Sequence, residues 1–239
     1  MLIGEDFPRI QFDLFGLHLG EPNTFIGDAL IFLVALILAR KVKNLGINTP
    51  FFNNWYWFLL IFGFGFFVGG FGHLFFNYTG IPGKYPALYL GLISTAFLEK
   101  TMISLHPKES IRKLFGRLIY IKLTIALISA TLVFTFVDLY KDPSLALVVS
   151  SINGAIGSIY ALGYLGLKFA KSITPSFHYI VIGVVLFIPT ALVQSYKISL
   201  HQWFDRNDIS HALIIVSLIL YYFGIKGFAQ KIKLESDLV

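Results

Sequence analysis

Residues 55–77 read WYWFLLIFGFGFFVGGFGHLFFN and contain no Asp, Glu, Lys or Arg. A helix needs about 20 mostly apolar residues to cross the hydrocarbon core of a bilayer. This stretch is long enough to cross it. It therefore predicts a transmembrane helix, and the remaining sequence has to be interpreted as the sequence of a membrane protein.

The composition of the whole chain agrees with this interpretation. Of 239 residues, 56% are hydrophobic and 13% are charged, whereas roughly a quarter are charged in an ordinary soluble domain. The mean hydropathy is +0.74. Such a chain has too little polar surface for a soluble enzyme with a single hydrophobic anchor. The absence of Cys excludes disulfide bonds, thiolate metal sites and a Cys nucleophile.

Other apolar segments resemble the first, and short connections separate them. We predict an all-α, polytopic membrane protein built as one bundle of seven transmembrane helices. The predicted spans are residues 23–40, 55–77, 86–105, 118–139, 144–167, 177–197 and 209–228. Residues 1–22 are predicted to form an external interfacial segment, residues 23–228 the transmembrane domain, and residues 229–239 a cytoplasmic tail.

Lys and Arg residues indicate the orientation of this bundle. Alternate loops together with the C-terminal tail carry twelve of them, and the loops on the opposite side carry five. Loops rich in Lys and Arg stay in the cytoplasm. This rule places the N-terminus outside and the C-terminus in the cytoplasm, and membrane topology explains the net positive charge without a nucleic-acid partner.

Several polar side chains lie at the predicted outer ends of the spans, where lipid makes them costly. They are Glu21, Asp28, His73, Asn77, Asp138, Asp205, Asn207, Asp208 and His211. Glu21 and Asp28 are two helical turns apart and share a face, and imidazole with carboxylate is the ligand chemistry of zinc and other divalent metals. The alternative is structural: Asp208 stabilises the start of a helix, and the histidines bond backbone carbonyls.

Two further ionisable residues lie toward the predicted inner side. Glu99 is near the end of the third span and Lys122 is near the start of the fourth, so we expect them to share a depth in the membrane. Their opposite charges predict an ion pair, either purely structural or acting as a gate.

Three short motifs carry a family resemblance. Residues 21–28 (EPNTFIGD) open the first span, Gly72-His73 closes the second, and residues 207–211 (NDISH) open the seventh. This pattern resembles the superfamily of seven-helix membrane hydrolases that includes the alkaline ceramidases and the adiponectin receptors. The sequence departs from that superfamily at Asn207, where the superfamily has a histidine, at Gly69, where it has a serine, and at Lys84, where it has an aspartate.

The resemblance implies a divergent bacterial member of that superfamily in the plasma membrane. It implies a metal-dependent hydrolase of a lipid amide or ester, with zinc or another divalent metal as cofactor and a membrane lipid as substrate. The implied metal ligands are His73, His211, Asp208 and Asn207. The implied catalytic residues, acting as base or as groups that orient the ligands, are Glu21, Asp28 and Asp208.

The residues themselves leave two other classes open. The same polar side chains could form the vestibule of a transporter, a channel or a proton-coupled carrier, because membrane-embedded carboxylates and histidines are common in proton relays. A receptor or an accessory membrane subunit is the third possibility.

Overall fold

The computed structural model describes Met1–Leu238, and most of this chain is helical, which confirms the all-α prediction. Val239, the last residue of the predicted tail, lies outside the described residues. The helices are α1 (Pro22–Lys43), α2 (Pro50–Leu74), the short α3 (Phe76–Thr79), α4 (Tyr85–Ile103), α5 (Glu109–Phe136), α6 (Leu145–Gly157), α7 (Leu165–Ser172), α8 (Phe177–Ser195) and α9 (Arg206–Ser236). A 3₁₀ turn, Ile81–Lys84, precedes α4, and a π-helical segment, Ser158–Tyr164, joins α6 to α7.

Five helical stretches of Met1–Leu238 are long and apolar enough to cross a membrane. These stretches are Pro50–Leu74, Glu109–Phe136, Leu145–Ser172, Phe177–Ser195 and Arg206–Ser236. The third combines α6, the π-helical segment and α7 in one continuous helix. These helices are consistent with an integral membrane protein that crosses the bilayer several times.

Several helix boundaries differ from the predicted ones, and three of these differences change the description of the bundle. Helix α2 begins at Pro50, five residues before the predicted start, because the fixed φ of proline suits the first helical position. Helix α5 begins at Glu109, nine residues before the predicted start. Residues 109–117 are amphipathic, so they form helix but give no signal for an apolar membrane span. Helix α9 continues to Ser236, so most of the predicted tail 229–239 is an extension of the last helix.

Helix α4 lies at the centre of the bundle, where it packs against α2, α5, α6 and the π-helical segment. Within Tyr85–Ile103, Pro86 alone is exposed. The helix buries several polar side chains, namely Ser94, Thr95, Glu99 and Thr101. A helix surrounded by protein can carry such groups because it meets little lipid.

Aromatic rings hold α2, α8 and α9 together where α2 and α8 begin and α9 approaches its end. The ring centroid of Phe51 lies 5.2 Å from that of Phe228 and 5.7 Å from that of Phe177. Trp55, one turn further along α2, lies 5.6 Å from Tyr221. All five rings are buried, so they fix the relative positions of the three helices by packing.

The N-terminal segment forms an antiparallel hairpin of strands β1 (Gln11–Leu14) and β2 (Leu17–Gly20). The hairpin docks on α3, because the backbone N–H of His18 donates to the Tyr78 hydroxyl and Asn77 Nδ2 donates to the His18 carbonyl. The second strand ends beside the backbone of His73. This contact brings the next residue, Glu21, to the end of α2.

Close packing of α8 on α9 depends on Gly183. A Cβ atom there would lie 2.5 Å from Tyr221 Cε1 and 3.1 Å from the Ser217 carbonyl oxygen. We expect Gly183→Ala to destabilise the protein by about 1–3 kcal/mol through overpacking, measured by thermal unfolding in detergent. The matched control is Gly91→Ala on α4, where a Cβ atom meets nothing within 4 Å. This control should be neutral or stabilising, by up to about 1 kcal/mol, and equal losses in both variants would contradict the packing argument.

Candidate functional site: two histidine–carboxylate pairs

The first pair joins the beginning of α1 to the beginning of α9. His211 Nε2 lies 3.1 Å from Asp28 Oδ1. Asp28 is 3% exposed and His211 is 8% exposed. The imidazole edge also faces Phe66 on α2, with ring centroids 6.0 Å apart. The pair is therefore a buried contact at a point where three helices meet.

Two glycines make the room for this contact. A Cβ atom on Gly27 would lie 2.2 Å from His211 Nδ1, and one on Gly70 would lie 3.0 Å from Asp28 Cβ. The imidazole therefore rests directly on the backbone of α1. Its Nδ1 atom is buried and has no hydrogen-bond partner among the described residues.

The second pair joins the residue before α1 to the last turn of α2. His73 Nδ1 hydrogen-bonds Glu21 Oε2, and Arg9 Nε lies 3.2 Å from Glu21 Oε1. Lys84 Nζ lies 3.3 Å from the same imidazole nitrogen. An ionised carboxylate only accepts hydrogen bonds, so the N–H group at His73 Nδ1 donates the hydrogen bond to Glu21.

Three positive groups determine the ionisation of Glu21. Burial would raise its pKa, but the hydrogen bond from His73 and the charges of His73, Lys84 and Arg9 outweigh it and lower the pKa from 4.5 to about 2. Glu21 is therefore a carboxylate throughout the neutral range. It anchors the hairpin, α2 and the turn before α4 to one point.

The other predicted site residues at the beginning of α9 have side-chain hydrogen-bond partners of their own. Asp205 and Asp208 form a capping box, and Asn23 Nδ2 donates to Asp208 Oδ2 at 2.7 Å. Asn207 turns toward α8, where its side-chain oxygen accepts a hydrogen bond from Gln194 Nε2 at 3.1 Å. Asp208 thus connects α9 to α1, while Asn207 connects α9 to α8.

The predicted site residues consequently divide into several contacts. His73 is with Glu21, His211 is with Asp28, and Asp208 is with Asn23. Within Met1–Leu238, no group of three or more His, Cys, Asp or Glu side chains is arranged to hold a metal ion. The side chains in these positions do not fit a shared metal ion, and zinc binding stays a prediction.

Sequence reasoning missed two members of this cluster and the glycine beneath it. In the sequence, Arg9 contributes only to the Lys and Arg distribution that indicates orientation, and Lys84 marks only a departure from the superfamily pattern. Both contact the Glu21–His73 pair. Gly27 lies one residue before Asp28 in a helix, and a glycine at such a position indicates that a side chain from another helix approaches the backbone closely.

The predicted ion pair between Glu99 and Lys122 is confirmed, with Lys122 Nζ 2.6 Å from Glu99 Oε1. Its predicted place near the start of a helix is wrong for Lys122. Because α5 begins at Glu109, Lys122 lies thirteen residues into it, about 20 Å along the helix axis. The pair therefore joins a position four residues before the end of α4 to the middle of α5.

The low pKa of Glu21 predicts how stability responds to acid. A carboxyl group whose pKa is lower in the folded state stabilises the protein above its unfolded value, near 4.5, and loses this contribution as the pH falls toward about 2. We expect Glu21→Gln to lower the melting temperature at neutral pH. The difference from the wild type should shrink between those two pH values.

The matched control is Glu5→Gln, which removes an exposed carboxylate from the same N-terminal segment. It should leave the melting temperature nearly unchanged at every pH. A difference between wild type and Glu21→Gln that stays constant down to the lowest pH would contradict the assigned ionisation of Glu21.

Comparison with known proteins places the chain in one family. No curated protein and no solved structure matches it. One family model, described as a family of unknown function (DUF6962), matches residues 23–230. The match includes Asp28, His73 and His211, whereas Glu21 precedes it. Because the match covers most of its 239 residues, the chain belongs to the DUF6962 family.

Proposed function

We propose that this protein is a plasma-membrane carrier with seven membrane spans, which couples the movement of a solute to protons bound at the two histidine–carboxylate pairs. The observation that carries this proposal is the buried contact between Asp28 and His211. Histidine is the side chain whose charge changes most readily within the physiological pH range. A buried, paired histidine between two helices is suited to binding and releasing a proton.

The seven spans would comprise the five apolar stretches together with α1 and α4. Helix α1 has 22 residues and α4 has 19, and about 20 suffice to cross a bilayer. Helix α1 also presents an exposed apolar face that suits contact with lipid. This face contains Ile26, Leu30, Leu33, Leu36 and Ile37. With seven spans and the observed distribution of Lys and Arg, the site would face the outside.

Proton binding at this site would change the contact between helices. When His211 is protonated, it forms an ion pair with Asp28; when His211 is neutral, this charge attraction is lost. The imidazole rests on Gly27 without spare space, so this change in energy acts directly on the contact of α9 with α1. A proton that binds one helix arrangement better than another shifts the population between them, as coupled transport requires.

The second candidate is the metal-dependent hydrolase that the resemblance implies. In its favour, His73 and His211 both lie at the end of the bundle where α1 begins, as the resemblance predicts. Each imidazole could keep its carboxylate and bind metal through its other ring nitrogen, but within Met1–Leu238 no group of three or more His, Cys, Asp or Glu side chains is arranged around such an ion. The carrier requires no such group, so the geometry supports it better.

Reconstitution into liposomes tests the carrier. Purified protein would be placed in vesicles that contain a pH-sensitive dye, and amino acids, sugars, organic acids and metal cations would be added singly. We expect one solute class to produce a change in internal pH. Asp28→Asn and His211→Gln should slow this proton flux at least about tenfold, as expected when a proton-transfer group is removed.

The matched control is His18→Gln, because His18 forms an exposed pair with Asp13 in the hairpin, 3.0 Å apart. This variant should retain the wild-type flux. The same preparation would be incubated with lipid amides and esters. Hydrolysis that depends on His73 and His211 and on an added divalent metal, without any solute-dependent proton flux, would overturn the carrier and support the hydrolase.

The orientation has a test of its own. The twelve-to-five distribution of Lys and Arg between the two sides predicts that a reporter fused after residue 239 is cytoplasmic. A reporter fused before residue 1 should be external. The reverse result at both ends would place the two histidine–carboxylate pairs on the cytoplasmic side.

A further inference from the structure

A second group of polar side chains lies deep between α4, α5 and α6. Glu99 on α4 is 5% exposed. Lys122 on α5 places Nζ 2.6 Å from Glu99 Oε1 and 3.3 Å from the backbone carbonyl oxygen of Asn153 on α6. One ammonium group therefore connects three helices.

Four buried polar atoms around this ion pair have no partner among the described residues. They are Glu99 Oε2, Asn153 Oδ1, Asn153 Nδ2 and Ser150 Oγ. A buried polar group without a hydrogen bond is costly. These atoms of Glu99, Asn153 and Ser150 therefore need a hydrogen-bond partner that the described residues do not supply.

Helix α6 directs these groups toward Glu99. Ser150, Asn153 and Gly157 are spaced by three and four residues, so they share one face of the helix. A Cβ atom on Gly157 would lie 3.0 Å from Glu99 Oε1. The face that carries the unpaired amide and hydroxyl is therefore the face that packs on the carboxylate.

The backbone next to this face is unusual. The π-helical segment Ser158–Tyr164 begins directly after Gly157. Single π-helical turns inside α-helices are rare and occur frequently at functional sites. Lys122 also lies in the middle of α5, and ionisable groups at such depth are functional candidates because they are costly to bury.

The chemistry of the unpaired atoms identifies the ligand. A metal cation would satisfy the oxygens of Glu99, Asn153 and Ser150 but would leave the Asn153 N–H₂ donor unsatisfied. Water donates and accepts, and buried water typically makes about three hydrogen bonds to otherwise unpaired groups. Bound water accounts for all four atoms together.

We propose that Glu99, Lys122, Asn153 and Ser150 form a hydrated proton-binding site inside the bundle. Water bridges Glu99 Oε2 to the Asn153 amide and the Ser150 hydroxyl. A hydronium ion delivers its proton through this water to Glu99 Oε2, where an O–H bond forms as one O–H bond of the hydronium breaks and water remains. Lys122 keeps its hydrogen bond to the Asn153 carbonyl when Glu99 is neutral.

The groups around Glu99 make this exchange possible. Helix α5 contributes the positive charge of Lys122, and α6 contributes the uncharged Asn153, Ser150 and Gly157. Lys100, the neighbour of Glu99 on α4, donates instead to the Tyr120 hydroxyl at 2.8 Å. The role of Glu99 as a second proton station rests on the proposed carrier function, whereas proton and water binding at Glu99 can be measured without transport.

Infrared difference spectroscopy on the purified full-length protein tests the site directly. Lowering the pH should produce the carbonyl band of a protonated carboxyl group, and Glu99→Gln should abolish that band. Exchange into water labelled with oxygen-18 should shift the bands of bound water, and Asn153→Leu should remove them. The control is Ser94→Ala, since Ser94 is buried on the same helix but bonds within it, to the Gly91 carbonyl.

If Glu99→Gln fails to fold because Lys122 loses its carboxylate partner, the same spectra would be recorded on the double variant Glu99→Gln/Lys122→Gln. This variant removes both charges together. A carboxyl band that persists without Glu99, or its absence from the wild type at every pH, would overturn the site. Water bands unchanged in Asn153→Leu would do the same.

The liposome assay separates this site from the carrier proposal. If the wild type carries protons with a solute, Glu99→Gln should slow that flux at least about tenfold, and an unchanged flux would overturn the role of Glu99 as a proton station. If the wild type carries nothing but the Glu99 band and the water bands are present, the carrier proposal fails and the hydrated site stands.

Discussion

Lipid offers no hydrogen-bond partner, so a charged side chain in a membrane-spanning helix has to find its partner within the protein. This constraint explains which helices meet in this bundle. Asp28 meets His211 across α1 and α9, and Glu99 meets Lys122 across α4 and α5. Hydrophobic packing alone would allow these helices to rotate or slide, whereas the charge pairs select one arrangement.

Glycine makes these pairings geometrically possible. Gly27 lets the imidazole of His211 rest on the backbone of α1, and Gly157 lets α6 approach the carboxylate of Glu99. Elsewhere, Gly183 brings α8 against Tyr221 of α9. At all three positions a methyl group would displace the neighbouring helix or side chain. Small residues thus determine how close two helices come, and polar residues then determine what happens at the contact.

The two polar clusters differ in position and in how many of their polar atoms have hydrogen-bond partners. At the end of the bundle, Glu21 accepts a hydrogen bond from His73 and pairs with Arg9, Lys84 lies beside the His73 imidazole, and one nitrogen of His211 has no partner among the described residues. Inside the bundle, four polar atoms around Glu99 lack partners among the described residues. The cluster around Glu21 and His73 is suited to holding helices together through charge, and the cluster around Glu99 to holding water. Proton coupling would use both.

The sequence alone determined the class of structure, because long apolar segments are meaningful only in a membrane and helix is the structure that satisfies their backbone. It also determined which polar residues lie at the same end, since connectivity places the end of α2 beside the start of α9. It predicted the Glu99–Lys122 contact from the positions of the two residues along their helices and from their opposite charges, and the structure confirms it. It did not determine the depth of that contact, because the amphipathic first turns of α5 give no apolar signal.

Only the tertiary structure decided which partner each polar side chain takes. Asn207 and Asp208 are adjacent in sequence, yet one turns to Gln194 on α8 and the other to Asn23 on α1. His73 and His211 likewise take separate carboxylates instead of sharing one site. Periodicity fixes the face of a helix on which a residue lies. The rotation and distance of the facing helix, set by glycines and aromatic rings far along the chain, fix what that residue meets.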